Sequence, residues 1–306
     1  MSRVRFVEAG TTYILTRRCT QRQFLLRPSD QVNQAFSYLL GVGAERFNVD
    51  LHALCAMSNH HHAILTDVDG RIPEFCEFLH GESSSCLNRL LGRRENFWDN
   101  RPYNAVRLIG SETVLEKCAY VLANPVRAGL VRRAYLWPGV WTPPHQIGKP
   151  GIIIPRPGFY FRENGTFPDS TRLRLVRPPQ CADWTDEEVE RYLAERLAAI
   201  EEETAEERAR EGKRFFMGVS AVLAQSPESR PTSPRPETEI VPEVACSDPE
   251  LREAEIEKLR VFRAEYRAAY RRFREGERDV VFPAGTYWMR VHLNVHVACR
   301  DPPEAS

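Results

Sequence analysis

Two short segments carry side chains whose types and spacing suit phosphoryl chemistry. The first is Met57-Ser-Asn-His60-His61-His62-Ala-Ile-Leu65. In an extended strand, side chains alternate between faces, so His60 and His62 share one face and His61 takes the other. Two imidazoles on one rigid face can present nitrogens to a single divalent ion and leave its remaining positions open. The same pattern is also the ordinary polar edge of a strand, its rings solvated or bonded to backbone. The second segment is Tyr120-Val-Leu-Ala-Asn124-Pro125. At about 100° per residue, Val114, Leu115, Cys118, Val121 and Leu122 gather as the apolar face of a helix. Tyr120 and Asn124 fall on its far side, about 40° apart and one turn from each other. Taken alone, an exposed surface tyrosine would look the same.

Together the two segments suggest one reaction. A tyrosine hydroxyl, with a pKa of about 10, is a feeble nucleophile at neutral pH unless a cation assists it. A divalent ion held by His60, His62 and Asn124 would polarise a scissile phosphate and neutralise developing charge. The same helix would deliver Tyr120. Attack would yield a phosphotyrosine link and a free hydroxyl, keeping the bond energy for rejoining without ATP. Mg²⁺ and Mn²⁺ both suit two imidazoles plus an amide, with phosphate oxygen and water in the open positions.

These residues need elements to position them. Residues 13–19 are rich in strand formers, and 30–47 show helical spacing at Val32, Ala35, Phe36, Leu39, Leu40 and Phe47. Asp50–Met57 and His60–Thr66 read as two strands split by the turn pair Ser58-Asn59. Ile72–Leu91 is predicted helical, Tyr103–Leu108 a strand, and Glu112–Asn124 a helix closed by Pro125. Helices alternating with a small sheet predict an α+β sandwich, and residues 1–142 are taken as the catalytic domain.

The texture then changes. Residues 143–182 are rich in Pro, Gly and Arg and read as extended loop, and Thr185-Asp-Glu-Glu188 is a capping box opening a charged helix to about 211. Residues 143–225 thus combine loop and acidic helix. Residues 226–249, with six prolines among Ser, Glu and Thr, read as a disordered linker. Residues 250–300 are predicted to be a C-terminal extension of a basic helix over 251–274 and a strand over 287–297, where apolar residues alternate. Beyond the sandwich, then, the expectation is a mostly helical, partly disordered extension.

The 306 residues balance 42 Lys+Arg against 42 Asp+Glu, so bulk charge announces no nucleic-acid partner. The distribution says more. Residues 1–150 hold 18 Lys+Arg against 13 Asp+Glu, and the remainder is acidic by the same margin, which is compatible with a nucleic-acid surface in the first half. Eight scattered cysteines without a Cys-x-x-Cys spacing suit a reducing compartment. No signal-like N-terminus and no apolar run near 18 residues appear, so the expectation is a cytoplasmic protein with no membrane partner.

At this point the chain resembles a known family, the HUH single-tyrosine transposases, in the branch of REP-associated tyrosine transposases. The resemblance spans about residues 3–141. It rests on Tyr13-Ile-Leu-Thr-Arg-Arg with Arg22-Gln-Phe-Leu-Leu26, on Met57–Leu65, on Phe97-Trp98 with Arg101-Pro-Tyr103, and on Tyr120-Val-Leu-Ala-Asn-Pro-Val-Arg-Ala-Gly-Leu-Val131. It implies Tyr120 as nucleophile, His60 and His62 as metal ligands and Asn124 as an assisting ligand. It also implies a ferredoxin-like antiparallel sheet with helices on one face. Two positions depart from the family pattern. Ser58 stands where proline is usual, and His61 where an apolar residue is usual; neither removes a proposed ligand. His61 either faces the core or adds a DNA contact.

Single-stranded or hairpin DNA is the expected partner, and a homodimer is compatible with the resemblance. Candidate DNA contacts are Arg17, Arg18, Arg22, Arg93, Arg94, Trp98, Arg101 and Arg127, since arginines pair with phosphates and aromatic rings stack on bases. Any one of them could equally be a solvated surface residue. The function expected is a metal-dependent single-strand DNA endonuclease and strand transferase. The alternatives are a non-cutting DNA-binding protein derived from such an enzyme, and a metal-dependent hydrolase that activates water. The second would keep its activity in Tyr120→Phe.

Overall fold

Strands buried on both faces form the centre of the molecule. In the computed structural model, which describes residues 4–213, 215–232 and 242–299, β1 (Thr11–Arg18) is followed by α1 (Asp30–Phe47), β2 (Val49–Met57) and β3 (His60–Asp67). Next come α2 (Ile72–Leu90), β4 (Asn104–Ile109) and α3 (Ser111–Arg127). The strands lie in the order β2-β3-β1-β4, all antiparallel, which is the ferredoxin-like arrangement expected. Helix α1 starts where Ser29 Oγ accepts from the Val32 N–H at 3.2 Å and stops at Asn48, which takes the left-handed conformation.

The helices do not share one face, as the resemblance implied. Helices α1 and α2 pack together, with Gly43 letting the Phe75 and Phe78 rings approach the α1 backbone. Helix α3 packs against β2 and β3, and Tyr120 on α3 meets His62, whereas His61 meets Phe36 of α1. Because neighbouring strand residues point oppositely, α3 lies on the face opposite α1 and α2.

Both sheet edges are covered. On the β2 side, the Ala56 N–H donates to Val140 O at 2.8 Å, the Thr142 N–H to Leu54 O at 3.1 Å and the Val176 N–H to Leu51 O at 2.9 Å. The stretch expected as plain loop therefore caps an edge strand, and it also forms a two-stranded sheet of β5 (Ile152–Pro155) and β6 (Ser170–Leu173) packed on α1. On the other side, β7 (Val244–Cys246) pairs in parallel with Arg107–Ile109 of β4, making a mixed five-stranded sheet. The linker expected over 226–249 does not hold for these residues. Its proline content hides a strand-forming Val-Ala-Cys triplet that finds a free edge; residues 233–241 of that stretch lie outside the described residues.

Helix α4 (Asp186–Arg210) begins at the capping box read from the sequence, with Thr185 Oγ1 and Glu188 Oε2 each accepting from the other's backbone N–H. It packs on α3, where Arg196 Nε and Tyr192 Oη both donate to Glu116 Oε1 at 2.9 Å. A short α5 (Val219–Ala224) follows.

The chain divides into two compact units, Gly10–Ser247 and one formed by the two chain ends. In the second, α6 (Pro249–Arg274) starts at Asp248, whose carboxylate caps the Glu250 and Leu251 N–H groups. A core of Ala269, Val280, Phe282, Met289 and Val295 holds it together, with β8 (Val281–Phe282) beside β9 (His296–Val297). The strand expected over 287–297 is instead α7 (Trp288–Leu293) followed by β9. Of its alternating apolar residues Met289 and Val295 enter the core, while Val291 and Leu293 stay exposed, so the period-two pattern reports no buried sheet face.

His52 of β2 is a fully bonded core histidine. Its Nδ1–H donates to Val176 O and its Nε2 accepts from Thr66 Oγ1, both at 2.8 Å. Burial pushes its pKa down to about 4, opposed by the Val176 carbonyl. The unfolded chain, at about 6.5, binds the proton first, so His52 contributes stability that is complete above pH 6.5 and is lost as pH falls towards 4. Between pH 7 and 4.5 this amounts to roughly 2–3 kcal/mol. We expect urea unfolding to show His52→Gln losing that much less stability than wild type over this range; parallel pH profiles would contradict the assignment.

Candidate active site

Strand β3 lies between β2 and β1, and its alternation sends His60 and His62 towards α3. The two rings are 4.8 Å apart between centroids and nearly perpendicular, at 85°. The bonds around them orient both. His60 Nδ1 lies 2.6 Å from Asn59 Oδ1, a carbonyl oxygen that can only accept, so Nδ1 carries the hydrogen and Nε2 keeps its lone pair. The Asn59 amide also donates to Arg22 O at 3.2 Å, in a turn where Gln21 and Arg22 take positive φ of 49° and 62°. Asn59 thus ties that turn to the histidine. His62 Nδ1 lies 2.7 Å from Oγ1 of Thr16, its register partner on β1.

Burial lowers the pKa of both rings, His60 well below the ordinary value and His62 to about 4, with the Arg18 charge adding to each. Both are therefore neutral at pH 7. A neutral imidazole whose Nδ1 donates its hydrogen keeps an Nε2 lone pair for a divalent ion, as His60 does here and as His62 does when its Nδ1 donates to Thr16. The donor set fits such an ion. Among the described residues no three His, Cys, Asp or Glu side chains group as a metal site, so a third protein ligand would come from an amide.

Helix α3 carries the candidate amide, Asn124. The face of Val114, Leu115, Cys118, Val121 and Leu122 is buried, as the periodicity predicts. The opposite side carries Lys117, Tyr120, Asn124 and Arg127 at spacings of three, four and three. The Tyr120 ring lies 6.3 Å from the His62 ring, and above it stand Lys117 Nζ at 5.7 Å and the Arg127 guanidinium carbon at 5.2 Å from its centroid.

Pro125 does not close this helix, which runs on to Arg127. A proline lacks the N–H that would bond the carbonyl four residues back, here Val121 O. The Asn124 amide nitrogen supplies a substitute, donating to Tyr120 O at 3.0 Å and Val121 O at 3.4 Å. This arrangement leaves the amide oxygen of Asn124 as the atom a cation could use.

On the opposite face, His61 is fully buried against Phe36, with Nε2 3.1 Å from His80 Nε2. Of the two roles open to it, the core role is the one seen. Trp98 is only 6 % exposed, and its indole N–H donates to His80 O at 2.8 Å. It is a core residue and not a base-stacking platform, a distinction that neighbouring arginines in the sequence could not make. The Arg17 guanidinium donates to the carbonyls of Asp99 and Arg101 and braces that loop. Arg18 faces His60 in the β1–β3 register, and the Arg22 charge also reaches His60. Arg93 bonds Gln23 and Glu95, Arg101 pairs with Asp99, and Arg94 and Arg127 are exposed. The site therefore gathers His60, His62, Tyr120, Arg18, Arg22 and Arg127, while Trp98 and Arg17 serve the scaffold. Sequence reasoning missed Thr16 and Lys117. The Lys117 spacing from Tyr120 was a usable signal, whereas Thr16 depends on strand register.

No protein-family model matches the chain, and no curated protein does. Among solved structures, it is similar to a REP-associated tyrosine transposase bound to a REP hairpin, at 18 % identity and a TM-score of 0.39, over 45 % of this chain and 81 % of that one. It is also similar to a candidate transposase from Deinococcus radiodurans, at 22 % identity and a TM-score of 0.29, over 40 % of this chain and 95 % of that one.

The Asn124–Pro125 arrangement is testable without substrate. We expect Asn124→Ala to cost about 1 kcal/mol in the native background. It should cost clearly less when Pro125 is alanine, whose N–H restores the helical bond. Equal costs in a double-mutant cycle by denaturant unfolding would refute the substitution of one donor for the other.

Proposed function

We propose that this protein is a tyrosine transposase, a metal-dependent single-strand DNA endonuclease and strand transferase that works in the cytoplasm through Tyr120. The observation that supports this reading most is the meeting of two elements. The Tyr120 ring of α3 stands 6.3 Å from His62, one of two neutral imidazoles on the facing strand, with two cations over the phenol.

His60, His62 and the Asn124 amide oxygen would hold a divalent ion, Mg²⁺ or Mn²⁺, which when bound withdraws electron density from the scissile phosphate. The chain's own groups do the rest. Arg18, Arg22, Lys117 and Arg127 attract and orient the phosphodiester, and Arg127 and Lys117 offset negative charge that builds beside the phenol. The Tyr120 oxygen attacks phosphorus, one P–O bond forms to tyrosine, and the bond to the departing deoxyribose oxygen breaks. The phenol gives a proton to water and the departing oxygen gains one, so a free hydroxyl remains. Reversal with a different hydroxyl rejoins the strand. The number of phosphoester bonds never changes, so no high-energy cofactor is needed.

Labelled hairpin DNA with a single-stranded flank, incubated with Mg²⁺ or Mn²⁺, should give a covalent protein–DNA band with wild type and none with Tyr120→Phe. Cleavage that survives in Tyr120→Phe would point to water as the nucleophile and sink the transposase reading. Thr16 provides a separate check on the ligands. Thr16→Val removes the bond that orients His62, and Mn²⁺ affinity by calorimetry should fall roughly 10- to 100-fold. Unchanged affinity would remove His62 from the ligand set.

A further inference from the structure

The arginine-rich stretch beyond α3 builds a second charged feature away from the histidines. Along residues 171–175 burial alternates: Thr171, Leu173 and Leu175 point inward, and Arg172 and Arg174 are exposed on the outer side. Thr171 is the residue against Gly41 of α1, which fixes which way the strand faces. The two arginines are about 7 Å apart along the extended chain. Lys149 joins them because the Gly148 N–H donates to Leu175 O at 3.0 Å and Arg172 Nη1 donates to Pro150 O at 3.1 Å.

These residues line an open cleft of about 510 Å³ with Gly148, Arg177 and Asp186. Four cationic side chains face one carboxylate, and that carboxylate is already beside Arg177, at 3.8 Å. Among the described residues, Lys149, Arg172 and Arg174 have no carboxylate within 4.0 Å. By contrast, Arg156 on the same hairpin is spent on Asp169 and on the carbonyls of Glu163 and Phe167. Gly148 lets the loop close on Asp186, since a Cβ there would fall 2.0 Å from that carboxylate.

We propose that this cleft binds the phosphate backbone of DNA, as a second contact for the molecule cut at Tyr120. The inference rests on the DNA-cleaving reading above for its substrate. Lys149, Arg172 and Arg174, cations without a carboxylate partner and with no aromatic ring among them, suit regularly spaced phosphates and read no bases. The position fits a stem better than the cut strand. The cleft adjoins Leu51, through the bond of Val176, while His60 pairs with Met57 at the other end of β2. Along β2 the six residues from Leu51 to Met57 span about 20 Å, the rise of roughly six nucleotides. A hairpin held at its base by the histidine site would lay its stem on the cleft.

The test compares wild type with Lys149→Gln/Arg172→Gln/Arg174→Gln, all exposed positions, after confirming equal melting temperatures. Fluorescence anisotropy with labelled hairpins of two unrelated stem sequences is read from 50 to 200 mM NaCl, beside a six-nucleotide single strand. The triple variant should bind both hairpins at least tenfold more weakly, with a log–log salt slope shallower by about three. Affinity for the short strand should not change. Hairpin affinity and slope equal to wild type would overturn the proposal, as would wild type that binds no hairpin. Covalent adducts are scored in parallel with Tyr120→Phe as control. Lost hairpin affinity without adducts in wild type would keep the cleft and discard the cleavage reading, whereas Tyr120-dependent adducts with unchanged slopes would do the reverse.

Discussion

Side-chain alternation on one inner strand governs the whole site. Strand β3 is hydrogen-bonded on both sides, so its register cannot slip without turning every side chain to the wrong face. That constraint sends His61 into the packed layer between sheet and helices α1 and α2, and sends His60 and His62 towards α3. Beyond the histidines both faces are packed, with Ala63 and Leu65 buried on the His61 side and Ile64 on the other. Once β3 is fixed, Thr16 must lie opposite His62, and the imidazole orientation follows from that neighbour.

Helix α3 answers from above with a second periodicity. Its apolar stripe packs on the sheet, so the polar stripe of Lys117, Tyr120, Asn124 and Arg127 emerges along one side. The cost of Pro125 within the helix is offset by the Asn124 amide, which uses its nitrogen on backbone and leaves its oxygen. One residue thus serves helix continuity and keeps an amide oxygen uncommitted on the stripe that carries Tyr120. Helix α4 bonds to Glu116 of α3, and Arg133 with the Ala134 N–H bonds the buried Glu201 of α4. The acidic helix that composition sets apart from DNA therefore acts as a brace behind the helix that carries the tyrosine.

Much of this was legible in the residues themselves. The bounds of α1 follow from the Ser29 cap and the apolar spacing, and the strand–turn–strand around Ser58-Asn59 follows from alternation. The His60–His62 pairing and the Tyr120–Asn124 face need only strand and helix geometry. What escaped depends on partners distant in the chain. Val244–Cys246 is a strand because β4 offers an edge, which no window over residues 226–249 contains. Residues 287–297 alternate like a strand, yet their core takes in Met289 and Val295, with Val297 packed at its edge, and leaves Val291 and Leu293 exposed. Trp98 resembles a stacking residue until His80 O claims its N–H. The local rules predicted elements well and failed where a long-range neighbour decided the outcome.

The central claim is that Tyr120 forms the covalent link to DNA. After reaction with single-stranded hairpin DNA and Mn²⁺, nuclease trimming and trypsin digestion, mass spectrometry of the peptide spanning residues 118–127 reads it directly, because Tyr120 is the one tyrosine in that peptide. The account predicts a nucleotide phosphate on Tyr120. Cleaved DNA with that peptide unmodified, or a nucleotide mapped to another residue, would contradict it.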